Sequence, residues 1–173
     1  MENKPNIVVC GTNILGVNND RQNPWAFPSV WSEILLVSYI VRLCGNRRSV
    51  MPPISRYCDI LTGCCLMVRL DFIAALGYFD ENVFLYCEEI ILGRQVKQHK
   101  KRMYYLHEVT AIHHHIESAK GSLIKRYKLF WKSRWYYLKK YSSYNKFILL
   151  VIFLSQKMCY FIKMFNFKIK RIK

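Results

Sequence analysis

The sequence is poor in the residues that interrupt regular structure, with 7 glycines and 5 prolines among 173 residues. Because 52% of the residues are hydrophobic and 15% aromatic, a disordered, collagen-like or low-complexity protein is excluded. No two of the 7 cysteines are spaced as C-x-x-C, so a zinc knuckle or redox motif has little support. The first residues also lack the pattern of a secretory signal. We expect one domain with a sizeable core and reduced, mostly buried thiols.

Acidic residues are missing from the last third of the chain. All 11 lie at or before Glu117, where 12 Lys and Arg nearly balance them, whereas the other 15 bases follow from Lys120 onward. The formal net charge of +16 therefore belongs almost entirely to the C-terminal part. This asymmetry predicts two regions, a nearly neutral domain over 1–118 and a basic, aromatic helical tail over 119–173.

The composition of the tail suits two kinds of polyanionic partner. Bases interleaved with aromatic residues can contact the phosphates and bases of nucleic acid. The same residues are typical of a membrane interface, where Trp and Tyr lie at headgroup level and Lys and Arg meet anionic lipid. The unbroken apolar run Phe147–Leu154 favours the membrane, so we expect an anionic membrane surface and no nucleic acid as partner.

The apolar stretch of the tail is short for a membrane span. Residues 147–162 include Gln156 and Lys157 and fall below the roughly 20 apolar residues that a span requires. Bases at 146, 157 and 168 are three helical turns apart and share a face. We therefore expect an amphipathic helix lying in the membrane surface, with a tilted span or an ordinary packed helix as alternatives.

Strands and helices alternate ahead of the tail, which is typical of the α/β class. Short apolar runs predict strands over 6–12, 59–68, 103–106 and 109–112, and a polar stretch predicts a loop over 11–30. Helical spacing predicts helices over 31–44, 70–76, 85–99, 121–141 and 146–164.

Two adjacent glutamates stand out in the third of these helices. On a helix that begins near Leu85, Glu89 shares a face with Leu92 and Val96, while Glu88 lies at the edge of that face. A carboxylate on a buried face is costly unless it is paired or used, and such an environment can tune a general base. The alternative is that both glutamates only favour the helix N-terminus through its dipole.

The stretch from Gly63 to Arg94 resembles the C-terminal half of the catalytic domain of family 2 glycosyltransferases, in particular the bacterial rhamnosyltransferase-like enzymes of surface-polysaccharide assembly. That family shows a strand that opens with Gly, then Arg, then G-G-F-D-E, then F-x-Y-x-E-D-x-D-L-x-x-R. The positions that match in register are Gly63, Arg69, Gly77, Phe79, Asp80, Glu81, Phe84, Tyr86, Glu88, Leu92 and Arg94. The resemblance covers roughly residues 57–145.

The resemblance implies the second half of a GT-A fold, followed by basic membrane-associated helices. It also implies inverting transfer of a sugar from a nucleotide-sugar donor to a cell-surface glycan or lipid-linked acceptor at the cytoplasmic face of the membrane. Glu89 takes the position of the catalytic base and Glu88 that of its acidic neighbour, although Glu89 is one methylene longer than the usual Asp and Ile91 replaces the family's second Asp.

Further substrate-binding positions follow from the same register. They are Gly63, Asp80, Glu81 and Arg94, together with His113, or His114 beside it, because the family often places a histidine near the diphosphate after this strand. Three adjacent histidines on a strand cannot all face one metal ion, since strand side chains alternate. The three histidines together therefore do not predict a metal site, and the resemblance implies that one of them binds a phosphate or a divalent ion.

The family's donor-binding half and its Asp-x-Asp motif, which holds Mg²⁺ or Mn²⁺ against the diphosphate, are not found in this sequence. The acids ahead of Asp59 are only Glu2, Asp20 and Glu33. We expect a truncated or split glycosyltransferase that is inactive alone. The alternative is a non-enzymatic basic module that binds anionic membrane or nucleic acid.

Overall fold

The computed structural model describes residues 4–34, 51–114 and 123–170. The chain divides into two compact units, one made of residues 1–27 and 50–142, the other of residues 28–49 and 143–173. The described elements are β1 (Ile7–Gly16), α1 (Val30–Glu33), β2 (Arg56–Cys58), β3 (Leu66–Val68), α2 (Leu70–Ala75), α3 (Glu88–Gln98), β4 (Arg102–His113), α4 (Leu123–Tyr141) and α5 (Lys146–Lys170). The protein is therefore mixed α/β, as the sequence predicts.

The first unit contains a mixed four-stranded sheet with the order β2-β4-β1-β3. The two central strands, β1 and β4, are parallel, whereas β3 on β1 and β2 on β4 are antiparallel. Gly16, the last residue of β1, pairs with His113, the last residue of β4. Both central strands therefore end at the same edge of the sheet, which is where α/β proteins commonly bind ligands.

The core of this unit lies between the sheet and two of its helices. β1 is buried along most of its length because it is a central strand with a neighbour on each side. The side chains that form the core come from β1, β4, α2, α3 and the segment after β2: Val8, Val9, Leu61, Phe72, Ile73, Leu92, Val96, Met103 and Tyr105.

Several expected boundaries are corrected by the structure. The run over 59–68 is not one strand, because β2 ends at Cys58, β3 begins at Leu66, and a turn lies between them. The two strands expected over 103–112 are one strand, interrupted by a register shift between Leu106 and Thr110. β1 continues to Gly16 and shortens the expected loop. Of the helix expected over 31–44, residues 35–44 lie outside the described part of the chain.

The helix with the two glutamates begins at Glu88, three residues later than expected. Tyr86 and Cys87 directly before it have φ angles of 70° and 71°, in the left-handed region that ends or precedes a helix rather than continuing it. Leu85 is therefore outside the helix and largely exposed. Leu92 and Val96 are buried as the helical spacing predicts, and Glu89 is half-buried on the same face.

Candidate functional site

The candidate site lies at the edge where β1 and β4 both end. After Gly16 the chain turns back, and the Gln22 backbone N–H donates to the Ile14 carbonyl oxygen at 2.8 Å. This places the Gln22 side chain beside the end of β4, where its Oε1 lies 3.2 Å from His113 Nδ1. His113 is thus held at the strand end by a polar contact, while His114 is exposed one residue further on.

A buried asparagine fixes the next loop against this edge. Asn23 is fully buried, and its Nδ2 donates to the Thr12 carbonyl oxygen at 2.9 Å. Its Oδ1 accepts from the Thr62 backbone N–H at 2.7 Å, and the Thr62 hydroxyl donates to the Gln22 carbonyl oxygen at 3.0 Å. These bonds hold residues 62–63 in a defined position relative to β1.

Glu89 joins this arrangement through Gly63. The Gly63 backbone N–H donates to Glu89 Oε1 at 3.2 Å, so the carboxylate at the start of α3 is anchored to the loop after Leu61. A Cβ added at Gly63 would lie 3.5 Å from the same oxygen, which shows how closely the loop passes the carboxylate. The neighbouring Cys64 thiol has a raised pKa, chiefly because of burial, and the negative charge of Glu89 adds to it.

The Glu88 carboxyl group has a raised pKa. Glu88 is the first residue of α3 and is exposed as a residue, but partial burial of its carboxyl group raises its pKa, and the charge of Glu89 raises it further. A carboxylate with a raised pKa is a better general base near neutral pH. Each glutamate has one feature of a base, since Glu89 is anchored by a hydrogen bond and the pKa of Glu88 is raised.

Asp80 lies away from this edge and fastens the loop before α3 to α4. Its side chain is only 5% exposed, and Oδ2 accepts from the hydroxyls of Tyr136 at 2.7 Å and Tyr141 at 2.5 Å and from Lys140 Nζ at 3.1 Å. Oδ1 accepts from the backbone and side chain of Asn82. We call this cluster of five residues the Asp80 latch. Both carboxylate oxygens take part in it, and contact between Asp80 and a substrate stays a prediction.

Two other predicted substrate residues also lie apart from Glu89 and Gly63. Glu81 is exposed on the loop next to the latch. The Arg94 guanidinium stacks over the Phe27 ring, with its Cζ 4.0 Å from the ring centroid, and its Nε donates to the buried Tyr137 hydroxyl at 3.3 Å. Of the predicted residues, the structure thus brings Gly63 and Glu89 into direct contact and links them to His113 through Gln22 and Thr62.

The sequence prediction missed Gln22, Asn23 and Thr62. The available signal was a pair of amide side chains in the polar loop after a buried strand, a place where α/β proteins position functional groups. The expectation of mostly buried thiols is wrong for Cys64 and Cys65, which are exposed in the turn after Gly63. Cys10, Cys58, Cys64 and Cys65 carry free thiols.

Metal ligands are not apparent in the described ranges. Within residues 4–34, 51–114 and 123–170, no three His, Cys, Asp or Glu side chains converge so that they could hold a metal ion. The residues present do not fit the divalent cation that the resemblance implies for a complete enzyme, and we derive no step through a metal ion.

Comparison with protein-family models, curated proteins and solved structures finds no match to this chain.

The Asp80 latch should make the free energy of unfolding depend on pH. Hydrogen bonds from Tyr141, Asn82 and Tyr136 outweigh the effect of burial and hold the pKa of Asp80 well below the 3.8 of a free Asp. Because the folded pKa is the lower one, the latch stabilises the protein at neutral pH, and this contribution is lost as the pH falls below about 4. We expect Asp80→Asn to lower the free energy of unfolding by about 2 kcal/mol at pH 7 and by clearly less at pH 3.

Urea denaturation at both pH values measures this difference. Glu81→Gln is the matched control, since it removes a charge from the neighbouring exposed residue and should change stability little at either pH. An Asp80→Asn effect that is as large at pH 3 as at pH 7 would contradict the assignment of a low pKa to Asp80.

Proposed function

We propose that this chain is the acceptor-side part of an inverting family 2 glycosyltransferase with a GT-A fold. In this proposal it transfers a sugar from a nucleotide-sugar donor to a cell-surface glycan or lipid-linked acceptor at the cytoplasmic face of the membrane. The observation that carries the proposal is the anchoring of Glu89 by the Gly63 N–H beside the ends of β1 and β4. The resemblance had selected the same two residues independently of the structure.

The proposed chemistry needs one proton acceptor on this side of the reaction. A sugar hydroxyl is a poor nucleophile until its proton is removed, so Glu89 would take that proton as the acceptor oxygen bonds to the anomeric carbon. The bond to the nucleotide diphosphate breaks on the opposite face, which inverts the configuration. The Gly63 N–H fixes the orientation of the carboxylate, and this matters because small misplacements of a base are costly in rate.

Membrane attachment in this proposal comes from the basic helices. In the second unit, α5 exposes an apolar stripe at helical spacing, formed by Phe147, Leu150, Leu154 and Met158. The exposed bases Lys146 and Lys157 lie on the same helix. An exposed apolar stripe flanked by bases is typical of a helix lying in a membrane surface. Among the described residues, no helix is both long and apolar enough to cross a membrane.

A basic module without enzymatic activity is the second candidate. It is favoured by α4, which has seven bases and no acid among its 19 residues. A transfer assay separates the two candidates. The DNA ahead of Met1 is searched for a donor-binding half with an Asp-x-Asp motif. The chain, joined to that half where one is found and by itself otherwise, is then incubated with labelled nucleotide sugars and lipid-linked acceptors. Incorporation of label supports the glycosyltransferase. If the upstream DNA encodes no Asp-x-Asp segment and no label is incorporated, the basic module is the better assignment.

The chain by itself is expected to bind no nucleotide sugar. Among the described residues, no three His, Cys, Asp or Glu side chains converge so that they could place a metal ion on the diphosphate. Calorimetry with uridine- and thymidine-diphosphate sugars in the presence of Mn²⁺ tests this, with the chain joined to a donor-binding half as the positive control. Micromolar binding by the chain alone would show that a donor site is present in these 173 residues.

A further inference from the structure

The loop between α2 and α3 exposes more aromatic surface than a loop normally does. Phe84 is 88% exposed, and Tyr78, Phe79 and Leu85 are also among the exposed large apolar residues. We call residues 78–85 the aromatic loop. Exposed single apolar residues are common, but four within eight residues form a patch that is costly in water and typical of an interaction surface.

The aromatic loop is held along one side of α4. At the C-terminal end of α4, the Asp80 latch binds it to Tyr136, Lys140 and Tyr141. In the middle of the helix, the Ser133 hydroxyl donates to the Leu85 carbonyl oxygen at 2.7 Å.

A third contact fixes the loop nearer the start of α4. The Arg126 Nε donates to the Tyr86 hydroxyl at 3.2 Å, and the Tyr86 ring packs edge-on against Phe130 with 5.6 Å between centroids. Loop and helix therefore form one surface, fixed at three places along 16 residues of helix.

The exposed side of α4 is cationic. Ser133, Tyr137, Leu138 and Tyr141 are buried, whereas Lys125, Lys128, Lys132 and Lys139 are exposed. At 100° per residue these four lysines fall within about 60° of one another, on the side opposite the buried face. Tyr136 and Lys140, which bind the aromatic loop, lie between the two faces. The patch thus has exposed aromatic side chains next to a row of lysines.

We propose that the aromatic loop inserts Phe84 and its neighbours into an anionic lipid bilayer, with the lysine row of α4 on the headgroups. The row of lysines favours an anionic partner. The aliphatic and aromatic side chains beside it favour a partner with an apolar interior. An anionic bilayer supplies both within a few ångströms. The inference rests on the membrane attachment proposed above, but it places a second contact in the first unit, independent of α5.

This contact would bring the candidate base to the membrane. Phe84 precedes Glu88 by four residues, which limits their Cα separation to about 14 Å. With Phe84 at headgroup level, the backbone of Glu88 would lie within about 14 Å of the headgroups, where a lipid carrier presents its acceptor hydroxyl. The bilayer would then position the acceptor as well as attach the protein.

Flotation of the full chain with vesicles tests the inference. Vesicles of phosphatidylcholine with phosphatidylglycerol are compared with phosphatidylcholine alone. Phe84→Ser is expected to weaken binding to the anionic vesicles roughly tenfold. The matched control is Met67→Ser, which removes an apolar side chain of 67% exposure from the edge strand β3 and should leave binding unchanged. Circular dichroism checks that both variants are folded.

A second variant tests whether the side chain at position 84 enters the bilayer. Phe84→Trp should bind like the parent, and its extra fluorescence, after subtraction of the parent signal, should be quenched by lipids brominated in their acyl chains. Full flotation of Phe84→Ser, or an unquenched Trp, would overturn the proposal while leaving attachment through α5 in place. If the full chain does not float at all, the membrane proposal as a whole fails.

A single-stranded oligonucleotide tests the other possible partner of the loop. If the oligonucleotide competes with vesicles for the chain, and Phe84→Ser weakens its binding equally, the loop would be assigned to base stacking instead.

Discussion

Replacing Glu89 by Gln is expected to lower sugar transfer by about 10²- to 10⁴-fold in the proposed glycosyltransferase, assayed with a donor-binding half joined to the chain. The amide oxygen of Gln can still accept the Gly63 N–H, so the loop at 62–63 should keep its position. Only the capacity to take a proton is removed. The loss should therefore appear in kcat rather than in KM.

Glu88→Gln is the matched control for this experiment. It removes the adjacent carboxylate, which has the raised pKa, from the same turn of α3. If Glu89 is the base, Glu88→Gln should lower kcat much less than Glu89→Gln does. An equal or larger loss for Glu88→Gln would transfer the role of base to Glu88 and leave Glu89 as the residue that holds Gly63.

Replacing Gly93 by Ala is expected to destabilise the protein by about 3 kcal/mol, although Ala is by itself the better helix former by about 1 kcal/mol. Gly93 lies in the middle of α3, where the helix passes directly over the backbone that follows β2. A Cβ there would overlap the Asp59 carbonyl oxygen and lie 3.3 Å from the Phe27 ring. Because the overlap is with backbone, the helix or the segment at 59 must move.

Gly63→Ala provides the matched control in chemical denaturation. The same methyl group at Gly63 would meet only the Glu89 side chain, at 3.5 Å or more, which is ordinary van der Waals contact. We expect its free energy of unfolding to stay within about 0.5 kcal/mol of the parent. Equal stability of the Gly93 variant and the parent would mean that α3 does not pack against residue 59 as described.

The parts of the fold that the sequence predicts are those set by local patterns. β1 and α2 follow from an apolar run and from helical spacing that ends at a glycine, Gly77, with a φ of 73°. The predictions are wrong where tertiary contacts determine the bounds of an element. β4 looks like two strands because the register shift against β1 inserts Glu108 and its neighbours, and the bond from Ser55 to Glu108 that stabilises this bulge joins residues 53 apart in sequence.

In the candidate site too, local features could be predicted and distant contacts could not. The pair at 88–89 could be recognised because two carboxylates at the start of a helix are visible in the sequence. Their partner Gly63 was predicted only from the resemblance. The sequence shows Asn23 as one of two amide residues in a polar loop, but it does not show that Asn23 is buried and fixes the loop beside Gly63. Its hydrogen bonds reach Thr12 and Thr62, and neither periodicity nor composition records such distant pairing.

The pairing of the two central strands also determines when this domain can fold. β1 pairs with β4 from Ile7 opposite Arg102 to Gly16 opposite His113, so nearly a hundred residues separate the partners. Closing so long a loop costs chain entropy before any strand contact compensates for it, and such non-local pairing slows folding. During synthesis the apolar strand β1 cannot pair with β4 until β4 has left the ribosome. Over that interval one of the most hydrophobic segments of the protein has no parallel partner, and protection of nascent β1 by chaperones or by early contact with β3 would govern the yield of folded protein.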